Sequence, residues 1–569
     1  MAVILLLFLV LVTYVPFFLP ARLAPGRIID RYLRGTLRSR IFGSYWHSGT
    51  ERMQQLIDRT YDFIVCGAGT SGCVVAARLA DQPGVRVLLI EAGSAYTGPE
   101  VTDPAQWPAN LGSERDWGFE AQPNSALNGR RMALNMGKGL GGGSSINVMV
   151  WARGHRTDWD HFAEESGDPG WGYESVLGYY RRIENWQGQP DGLRRGSTGP
   201  VHVAQPRAPQ PLALTTLEAA SQLGIPRFDS PNGEMMEGPG GVAIADLRIK
   251  QGKRESVYDA YIAPRLHNPN LHILTHALVA RVLFQGRTAI GVEVVVDGQL
   301  QRFHATGEVI LSMGAVNTPK VLMQSGIGPE AELRAHGIPL LNVLPGVGRN
   351  HQDHVAFGCT WAYSQPQPVG GGGCEATLYW KSDARLDAPD LLHCQLEFAV
   401  PSPPEVGIAP PAQGWTMFAG LARPVSRGQL RLSGAGVLDR MLIEPNTLSA
   451  PEDMAAALAS VELCRELGNH RAFAGLVSGE VVPGPRDRQG MERFLRNSAV
   501  SFWHQCGTAK MGRDERAVVD RALRVYGVSG LRVVDASVMP RITVGNTMAA
   551  CVVIGERGAD LLVGSRAVL

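Results

Sequence analysis

Hydrophobic positions follow strand-like and helix-like patterns in turn from about residue 60 onward. Residues 61–65 (YDFIV) form a short β-type run, 73–81 (CVVAARLAD) have the small apolar residues of a buried helix, and 85–90 (VRVLLI) have the pattern of a second buried strand. These segments predict a βαβ unit of about 30 residues. Further along, helical patterns such as 454–467 and strand patterns such as 303–311 alternate with loops rich in Pro and Gly. The chain is therefore predicted to have an α/β (α+β) fold.

The turn between the first strand and the helix carries three glycines at the spacing GxGxxG. Gly67 makes the turn, Gly69 lets the backbone approach a pyrophosphate, and Gly72 lets helix and strand pack closely. Free N–H groups at the start of the helix receive the anion. Glu91, at the end of the second strand, can accept both hydroxyls of an adenosine ribose, which predicts FAD or NAD rather than NADP. The alternative is a structural glycine-rich turn without a ligand.

A second glycine-rich segment follows at 137–147 (GKGLGGGSSIN). Bare backbone at this density allows a second close approach to a large planar or phosphorylated ligand. Ser144, Ser145 and Asn147 would supply hydrogen-bonding groups there. Taken alone, the segment could also be a flexible loop.

The amino-terminal segment is apolar and is followed by a basic one. We predict an uncleaved anchor helix at 1–21, long enough to cross a hydrocarbon core of about 30 Å. We also predict a basic amphipathic linker at 22–59 that lies on anionic head groups. In residues 22–40, directly after the apolar run, the one acid Asp30 is outnumbered by arginines at 22, 27, 31, 34, 38 and 40. The positive-inside rule then predicts a membrane-associated protein with its catalytic part in the cytoplasm. A signal peptide and a helix docked on the protein's own surface are the alternatives.

Composition narrows the class of protein further. The 569 residues are 44% hydrophobic and 19% charged, which is typical of a folded globular chain. Fifty-four basic and 53 acidic side chains give a net charge of +1, so nucleic acid is not an expected partner. The 8 cysteines are sparse and irregularly spaced, which predicts neither a disulfide framework nor a metal site.

The motifs resemble those of the glucose–methanol–choline (GMC) flavoprotein oxidoreductases. The family's amino-terminal fingerprint is matched at 67–72 and its G-K/R-x-hydrophobic-G-G segment at 137–147. Further matches occur in the expected order at 314–328 (GAVNTPKVLMQSGIG), 345–354 (PGVGRNHQDH), 424–432 (PVSRGQLRL) and 530–540 (GLRVVDASVMP). His351 stands where the family usually has Leu. The resemblance covers residues 60–565.

The resemblance implies a particular domain organisation. A Rossmann-like FAD-binding domain would be discontinuous, at 60–175, 240–350 and 500–569. An antiparallel-sheet substrate-binding domain would be inserted at 176–239 and 351–499.

The motifs and the resemblance together assign a set of cofactor-binding residues. Glu91 would hold the adenosine ribose, the backbone of Val279 would meet the adenine, and Asp535 would lie near the ribityl chain and phosphate. The full set is Gly67, Gly69, Thr70, Ser71, Gly72, Glu91, Ala92, Ser144, Asn147, Val148, Val150, Val279 and Asp535. Ile146 stands where some members carry a histidine bonded to the flavin, so the resemblance implies non-covalent FAD.

The resemblance also implies the reacting pair. Residues 502–512 (FWHQCGTAKMG) match the family's H-x-x-G-T-x-x-M-G segment and place His504 at the active-site base. A histidine with a pKa near 6.5 is largely neutral at pH 7 and can accept a proton. Asn546 takes the partner position and would donate a hydrogen bond to the substrate oxygen. The implied reaction oxidises an alcohol to an aldehyde or ketone, with the proton passing to His504 and hydride to flavin N5.

The substrate and the electron acceptor are less constrained by the sequence. Membrane placement favours a dehydrogenase that passes electrons to quinone or another acceptor. The alternatives are an oxidase that uses O₂ and a hydroxynitrile lyase-like enzyme without net redox chemistry. Phe398, Trp415 and Phe418 suggest an apolar pocket wall, although aromatic residues in such segments more often belong to the core.

Overall fold

The structure is a computed structural model that describes residues 60–566. The predicted anchor at 1–21 and the linker at 22–59 lie outside these residues. Among the described helices, none is long and apolar enough to cross a membrane. The anchor therefore remains a prediction.

Strands and helices alternate along the described chain. The strands are β1 (Thr60–Cys66), β2 (Val87–Ile90), β3 (Phe119–Glu120), β4 (Ala133–Leu134), β5 (Glu184–Trp186), β6 (Val201–Val203), β7 (Gly241–Ile244), β8 (Ile249–Lys250), β9 (Lys253–Arg254), β10 (Leu271–Leu274), β11 (Ala277–Gln285), β12 (Thr288–Val296), β13 (Gln299–Leu311), β14 (Ile327–Gly328), β15 (Asn342–Val343), β16 (Val355–Tyr363), β17 (Ala376–Trp380), β18 (Leu391–Leu396), β19 (Gly414–Leu421), β20 (Gln429–Leu432), β21 (Met441–Glu444), β22 (Val477–Val482), β23 (Val500–Ser501) and β24 (Leu531–Val533). The α-helices are α1 (Thr70–Ala80), α2 (Pro99–Thr102), α3 (Arg156–Ser166), α4 (Tyr173–Ile183), α5 (Pro211–Gln222), α6 (Gly314–Gln324), α7 (Glu330–Ala335), α8 (Pro451–Gly468), α9 (Arg488–Ser498) and α10 (Met548–Arg566).

The first large sheet contains the predicted βαβ unit. Its strand order is β10-β2-β1-β13-β12-β11, and β24 also pairs with β13. Strands β10, β2, β1, β13 and β24 run parallel, whereas β12 pairs with β11 and β13 in the antiparallel sense. Val65 of β1 lies opposite Leu89 on one side and Ile310 on the other. These apolar strands are buried because a parallel sheet is covered on both faces. The predicted α/β architecture is confirmed.

The second large sheet is antiparallel throughout. Its strand order is β22-β16-β19-β18-β17-β7, and β23 also pairs with β16. Gly358, Phe418 and Cys394 lie side by side across β16, β19 and β18. The opposite face packs on α8, where the carbonyl oxygen of Ser460 lies 3.0 Å from Nε2 of His393. One face of this sheet is thus covered by a helix and the other is left for a cavity.

The two sheets do not follow the predicted domain ranges at every strand. Strands β7 and β23 pair within the antiparallel sheet, although both fall in ranges predicted for the cofactor domain. The described residues cluster as a single unit, so the domain boundaries stay a prediction.

Candidate active site

The turn after β1 brings backbone against backbone. Gly67 has a φ of 96°, and a Cβ there would lie 2.4 Å from the carbonyl oxygen of Ser312. A Cβ on Gly72 would lie 1.9 Å from the carbonyl oxygen of Gly67. Both positions therefore require glycine. Helix α1 begins at Thr70, with Gly69 as an N-cap that makes no side-chain hydrogen bond. The first N–H groups of the helix are left for an anion.

The second glycine-rich segment packs directly on this turn. A Cβ on Gly142 would lie 2.8 Å from the Cα of Gly69. The N–H of Gly141 donates to the carbonyl oxygen of Ala68 at 2.7 Å. The two segments far apart in sequence thus form one cradle with little side-chain cover.

Glu91 fastens the two segments together. Its Oε2 accepts the N–H of Ala68 at 3.0 Å, and its Oε1 accepts the N–H groups of Gly93 at 2.8 Å and Gly139 at 3.0 Å. Burial raises the pKa of Glu91, and these backbone donors act in the opposite direction. The carboxylate therefore has a structural task in addition to the predicted contact with a ribose.

The cradle opens into a cavity of about 640 Å³. The wall contains these predicted site residues: Gly67, Gly69, Thr70, Ser71, Glu91, Ala92, Asn147, Val148, Val150, Val279, His504, Asp535 and Asn546. The bare cradle, the uncapped helix and the carboxylate after β2 fit the pyrophosphate and ribose of a dinucleotide. One continuous wall then leads from this cradle to the predicted reacting pair.

Two predicted cofactor residues do not line the cavity. The Oγ of Ser144 donates to the carbonyl oxygen of Gly141 at 2.6 Å and accepts the N–H of Val257 at 3.0 Å. Gly72 packs against the backbone of Gly67. Both residues shape the cradle from behind, because their contacts are to the protein itself.

Asn147 and Ile146 lie at the other end of the second glycine-rich segment. Oδ1 of Asn147 accepts from Met149 N at 3.0 Å, from Arg248 Nη2 at 3.0 Å and from Arg254 Nη1 at 3.1 Å. These bonds fix the amide at the cavity wall. Ile146 also lines the cavity and offers only hydrocarbon at the position where a covalent link would need a nucleophile.

Asp535 joins the segment after β24 to the start of α6. Its Oδ2 accepts from Gly314 N at 2.9 Å and from Thr318 Oγ1 at 2.6 Å, while its Oδ1 accepts from Ser537 N at 2.8 Å. Burial raises the pKa of Asp535, and these donors oppose that shift. These bonds fix the Asp535 carboxylate on the cavity wall.

Three polar side chains form a row, of which His504 and Asn546 line the cavity and His354 is buried behind them. Nε2 of His504 lies 3.2 Å from Nδ2 of Asn546, and Nδ1 of His504 lies 2.9 Å from Nδ1 of His354. Because an amide nitrogen can only donate, Nε2 of His504 accepts and its proton is on Nδ1. The lone pair of Nε2 is therefore directed at the amide on the cavity wall.

Both imidazoles are neutral at pH 7. The pKa of His504 lies well below 6.5, chiefly because burial disfavours the charged form and secondly because of repulsion from His354. Burial lowers the pKa of His354 to about 4. A neutral His504 can accept a proton, and a neutral His354 can accept a hydrogen bond from the resulting imidazolium.

Asp353 holds the backbone that carries His504. Its Oδ1 accepts the N–H of His504 at 2.8 Å, and its Oδ2 accepts from Gln505 Nε2 at 3.1 Å and from the hydroxyl of Ser501. Burial raises the pKa of Asp353 to about 6. Trp503 has a φ of 62°, a strained conformation for a residue with a side chain. These contacts support the strained turn that places His504 at the cavity.

Sequence reasoning missed part of this arrangement. Asp353 and His354 lie within the recognised motif 345–354, but the sequence assigns neither of them to the candidate site. His354 instead contacts the predicted base directly. Their motif was visible in the sequence, but the contact across 150 positions was not.

The aromatic residues proposed for a pocket wall divide into two groups. Phe398 and Phe418 line the cavity. Trp415 does not, because it is stacked between Trp361 at 4.5 Å and Phe473 at 5.3 Å in the core. The pocket interpretation is right for the first two residues and wrong for Trp415.

Comparison with known proteins identifies the family. Models described as GMC oxidoreductase match residues 61–356 and 424–555. The chain belongs to the GMC oxidoreductase family. Membership confirms the predicted cofactor, FAD, and the predicted class, an FAD-dependent alcohol oxidoreductase.

Individual members of the family are similar over nearly their whole length. An "oxygen-dependent choline dehydrogenase" of Brucella ovis is 35% identical, over 88% of this chain and 95% of the relative. The crystal structure of pyridoxine 4-oxidase from Mesorbium loti superposes with a TM-score of 0.83 at 33% identity, over 88% of this chain and 98% of that one. A structure of Aspergillus oryzae formate oxidase, solved in a study of FAD modification, has a TM-score of 0.81 at 26% identity, over 89% of this chain and 99% of that one.

Proposed function

We propose that this chain oxidises an alcohol to an aldehyde or ketone with His504 as the general base. The supporting observation is the position of Nε2 of His504, 3.2 Å from the amide of Asn546 at a cavity wall shared with the glycine cradle. When bound, FAD supplies the acceptor for the hydride. Removal of the hydroxyl proton by a base makes hydride loss feasible, because electron density is then pushed from oxygen to carbon.

Asn546 and His354 assist the base from opposite sides. The amide of Asn546 leaves Nε2 when a substrate hydroxyl arrives and donates to the substrate oxygen as negative charge grows there. His354 accepts the Nδ1–H of His504 and fixes the tautomer that leaves Nε2 free. Asp353 is a positioning residue that acts through the backbone of His504.

The remaining assignments to the cofactor are part of the same proposal. Glu91 holds the ribose, the N–H groups at the start of α1 hold the pyrophosphate, and Val279 meets the adenine. Non-covalent binding is supported by the hydrocarbon side chain of Ile146 at the wall. The antiparallel sheet would form the substrate domain, since its open face lines the cavity.

For the electron acceptor, we propose quinone or another acceptor rather than O₂. A dehydrogenase that delivers electrons to quinone is supported by the apolar and basic amino terminus in the sequence. An oxidase is the second candidate, because the similar pyridoxine 4-oxidase is named as one. Rates of O₂ consumption and of artificial-acceptor reduction, measured side by side with one alcohol, separate the two.

Substitution of His504 tests the proposed chemistry. We expect His504→Ala to keep its bound yellow flavin and to lose about 10²–10⁴-fold in the rate of flavin reduction by alcohol, because the base is gone. The measurement is anaerobic stopped-flow bleaching of the flavin. His267→Ala, at an exposed histidine, is the control and should react at the wild-type rate.

Two outcomes would contradict the proposal. If His504→Ala reduces its flavin at the wild-type rate, His504 is not the general base. A wild-type holoenzyme whose flavin is never bleached by any alcohol of a broad panel, but which cleaves cyanohydrins, would be a lyase.

A further inference from the structure

The wall around His504 is built from hydrocarbon. Phe502 is stacked on His504 with centroids 5.9 Å apart, and Phe418 meets Phe502 edge-on at 5.8 Å. Trp107 meets Trp503 at 6.4 Å. Ala356, Leu396, Phe398 and Val400 complete this part of the wall. The reacting pair therefore faces aliphatic and aromatic surface.

Three carboxylates line the described wall of the cavity, and each is engaged elsewhere. Glu91 binds backbone N–H groups of the glycine cradle, and Asp535 binds the start of α6. Asp439 lies in the turn between β20 and β21, where it accepts the N–H of Gly436 at 2.8 Å. That turn is fastened to α6 by Lys320, whose Nζ donates to Val437. Each of the three carboxylates therefore already accepts a backbone N–H of the protein.

Another acid, Glu397, follows the end of β18 and does not line the cavity. Leu396 and Phe398 line the cavity, whereas Glu397 between them does not. Oε2 of Glu397 accepts the N–H of Gly370 at 2.5 Å. This carboxylate is therefore held by backbone of the protein and is not presented at the cavity wall.

The aromatic rings of the wall mostly contact one another or His504. Recognition of a cation by aromatic faces needs the charge over a ring, within about 6 Å of its centroid. Trp107 is in contact with both Phe398, at 6.3 Å, and Trp503. One face of Phe502 is covered by the imidazole of His504. These contacts leave an apolar lining with few free faces for a cation.

We propose that the site accepts an uncharged alcohol with an apolar carbon body and discriminates against an alcohol that carries a permanent positive charge. This inference rests on the proposed function and specifies its substrate class. The physical reason is that a cation entering this wall loses its water without gaining a carboxylate partner. The body of an apolar alcohol gains instead from burial against the same wall.

Choline and its uncharged isostere, 3,3-dimethylbutan-1-ol, form a matched pair of probes. Both carry a hydroxyethyl group on a centre with three methyl groups, and they differ in charge. We expect the isostere to bleach the flavin of the holoenzyme with at least about a tenfold higher second-order rate constant than choline. Hexan-1-ol and benzyl alcohol should also bleach it.

The outcomes separate the two proposals. Equal or faster bleaching by choline overturns the substrate class and leaves the proposed alcohol oxidation standing. Absence of bleaching with every alcohol overturns both.

A variant pair tests the cause of the preference. Leu396→Glu adds a carboxylate to the wall, and Leu396→Gln adds a side chain of the same size without the charge. The quantity compared is the second-order rate constant of flavin bleaching by choline divided by that by the isostere. We expect this ratio to rise at least about tenfold in Leu396→Glu and to stay near the wild-type value in Leu396→Gln. An unchanged ratio in a flavin-loaded Leu396→Glu enzyme overturns the inference. If neither variant binds flavin, the wild-type comparison alone decides it.

Discussion

His351 and His354 belong to one motif but have different surroundings. His354 contacts the proposed base. His351 is completely buried, and neither of its ring nitrogens has a hydrogen-bond partner among residues 60–566. Burial lowers the pKa of His351 to about 4. A buried polar ring without partners destabilises the fold, and the family usually has Leu at this position.

Replacement of His351 should stabilise the protein in a pH-dependent way. His351 titrates near 6.5 in the unfolded chain and near 4 in the folded one, so between these values the unfolded state binds more protons. The free energy of unfolding of the wild type therefore falls as the pH drops from 6.5 towards 4, because unfolding lets His351 bind a proton. We expect His351→Leu to raise the free energy of unfolding by about 1–3 kcal/mol at pH 8 and by more at pH 5.

Urea denaturation of the holoenzyme at the two pH values measures this effect. His267→Leu, at an exposed position, should leave the stability nearly unchanged at both. A His351→Leu variant that is less stable than wild type, or equally stabilised at both pH values, would contradict the account.

At the scale of elements, the sequence patterns predict those helices and turns that depend on contacts between residues close together in the chain. The predicted helix at 73–81 is observed as α1, and 454–467 lies within α8. The glycine turn could be predicted because its spacing reflects close packing within one βαβ unit. The contact between His354 and His504 could not, because it depends on the antiparallel sheet that brings β16 beside β23.

Two helical glycines should respond in opposite ways to substitution by alanine. Gly72→Ala places a Cβ 1.9 Å from the carbonyl oxygen of Gly67, so α1 must move off the cradle. We expect loss of bound FAD and a lower melting temperature. Gly178→Ala in α4 meets nothing within 4 Å and should keep its FAD and gain about 0.5–1 kcal/mol. The measurements are flavin absorbance after gel filtration and thermal unfolding; full FAD content in Gly72→Ala would refute the packing argument.

At the scale of the whole molecule, the amino terminus sets the expected location. The sequence predicts an anchor at 1–21 and a basic linker at 22–59, both outside the described residues. We expect the full chain to float with phosphatidylcholine vesicles containing phosphatidylserine, and a chain that starts at residue 60 to stay at the bottom of the gradient. Equal FAD content in both chains is the control. If neither chain floats with the vesicles, the predicted membrane attachment is wrong.

The first and last parts of the described chain pack together in the fold. Ser71 Oγ in α1 donates to the carbonyl oxygen of Cys551 in α10 at 2.8 Å, and Arg78 pairs with Glu556 at 2.7 Å. Strand β24 adds to the same sheet as β1 through β13. During synthesis, a ribosome therefore releases the dinucleotide cradle long before the helix that braces it. Loading with flavin must await the finished polypeptide, and premature stop codons near the 3′ end of the message would yield apoprotein.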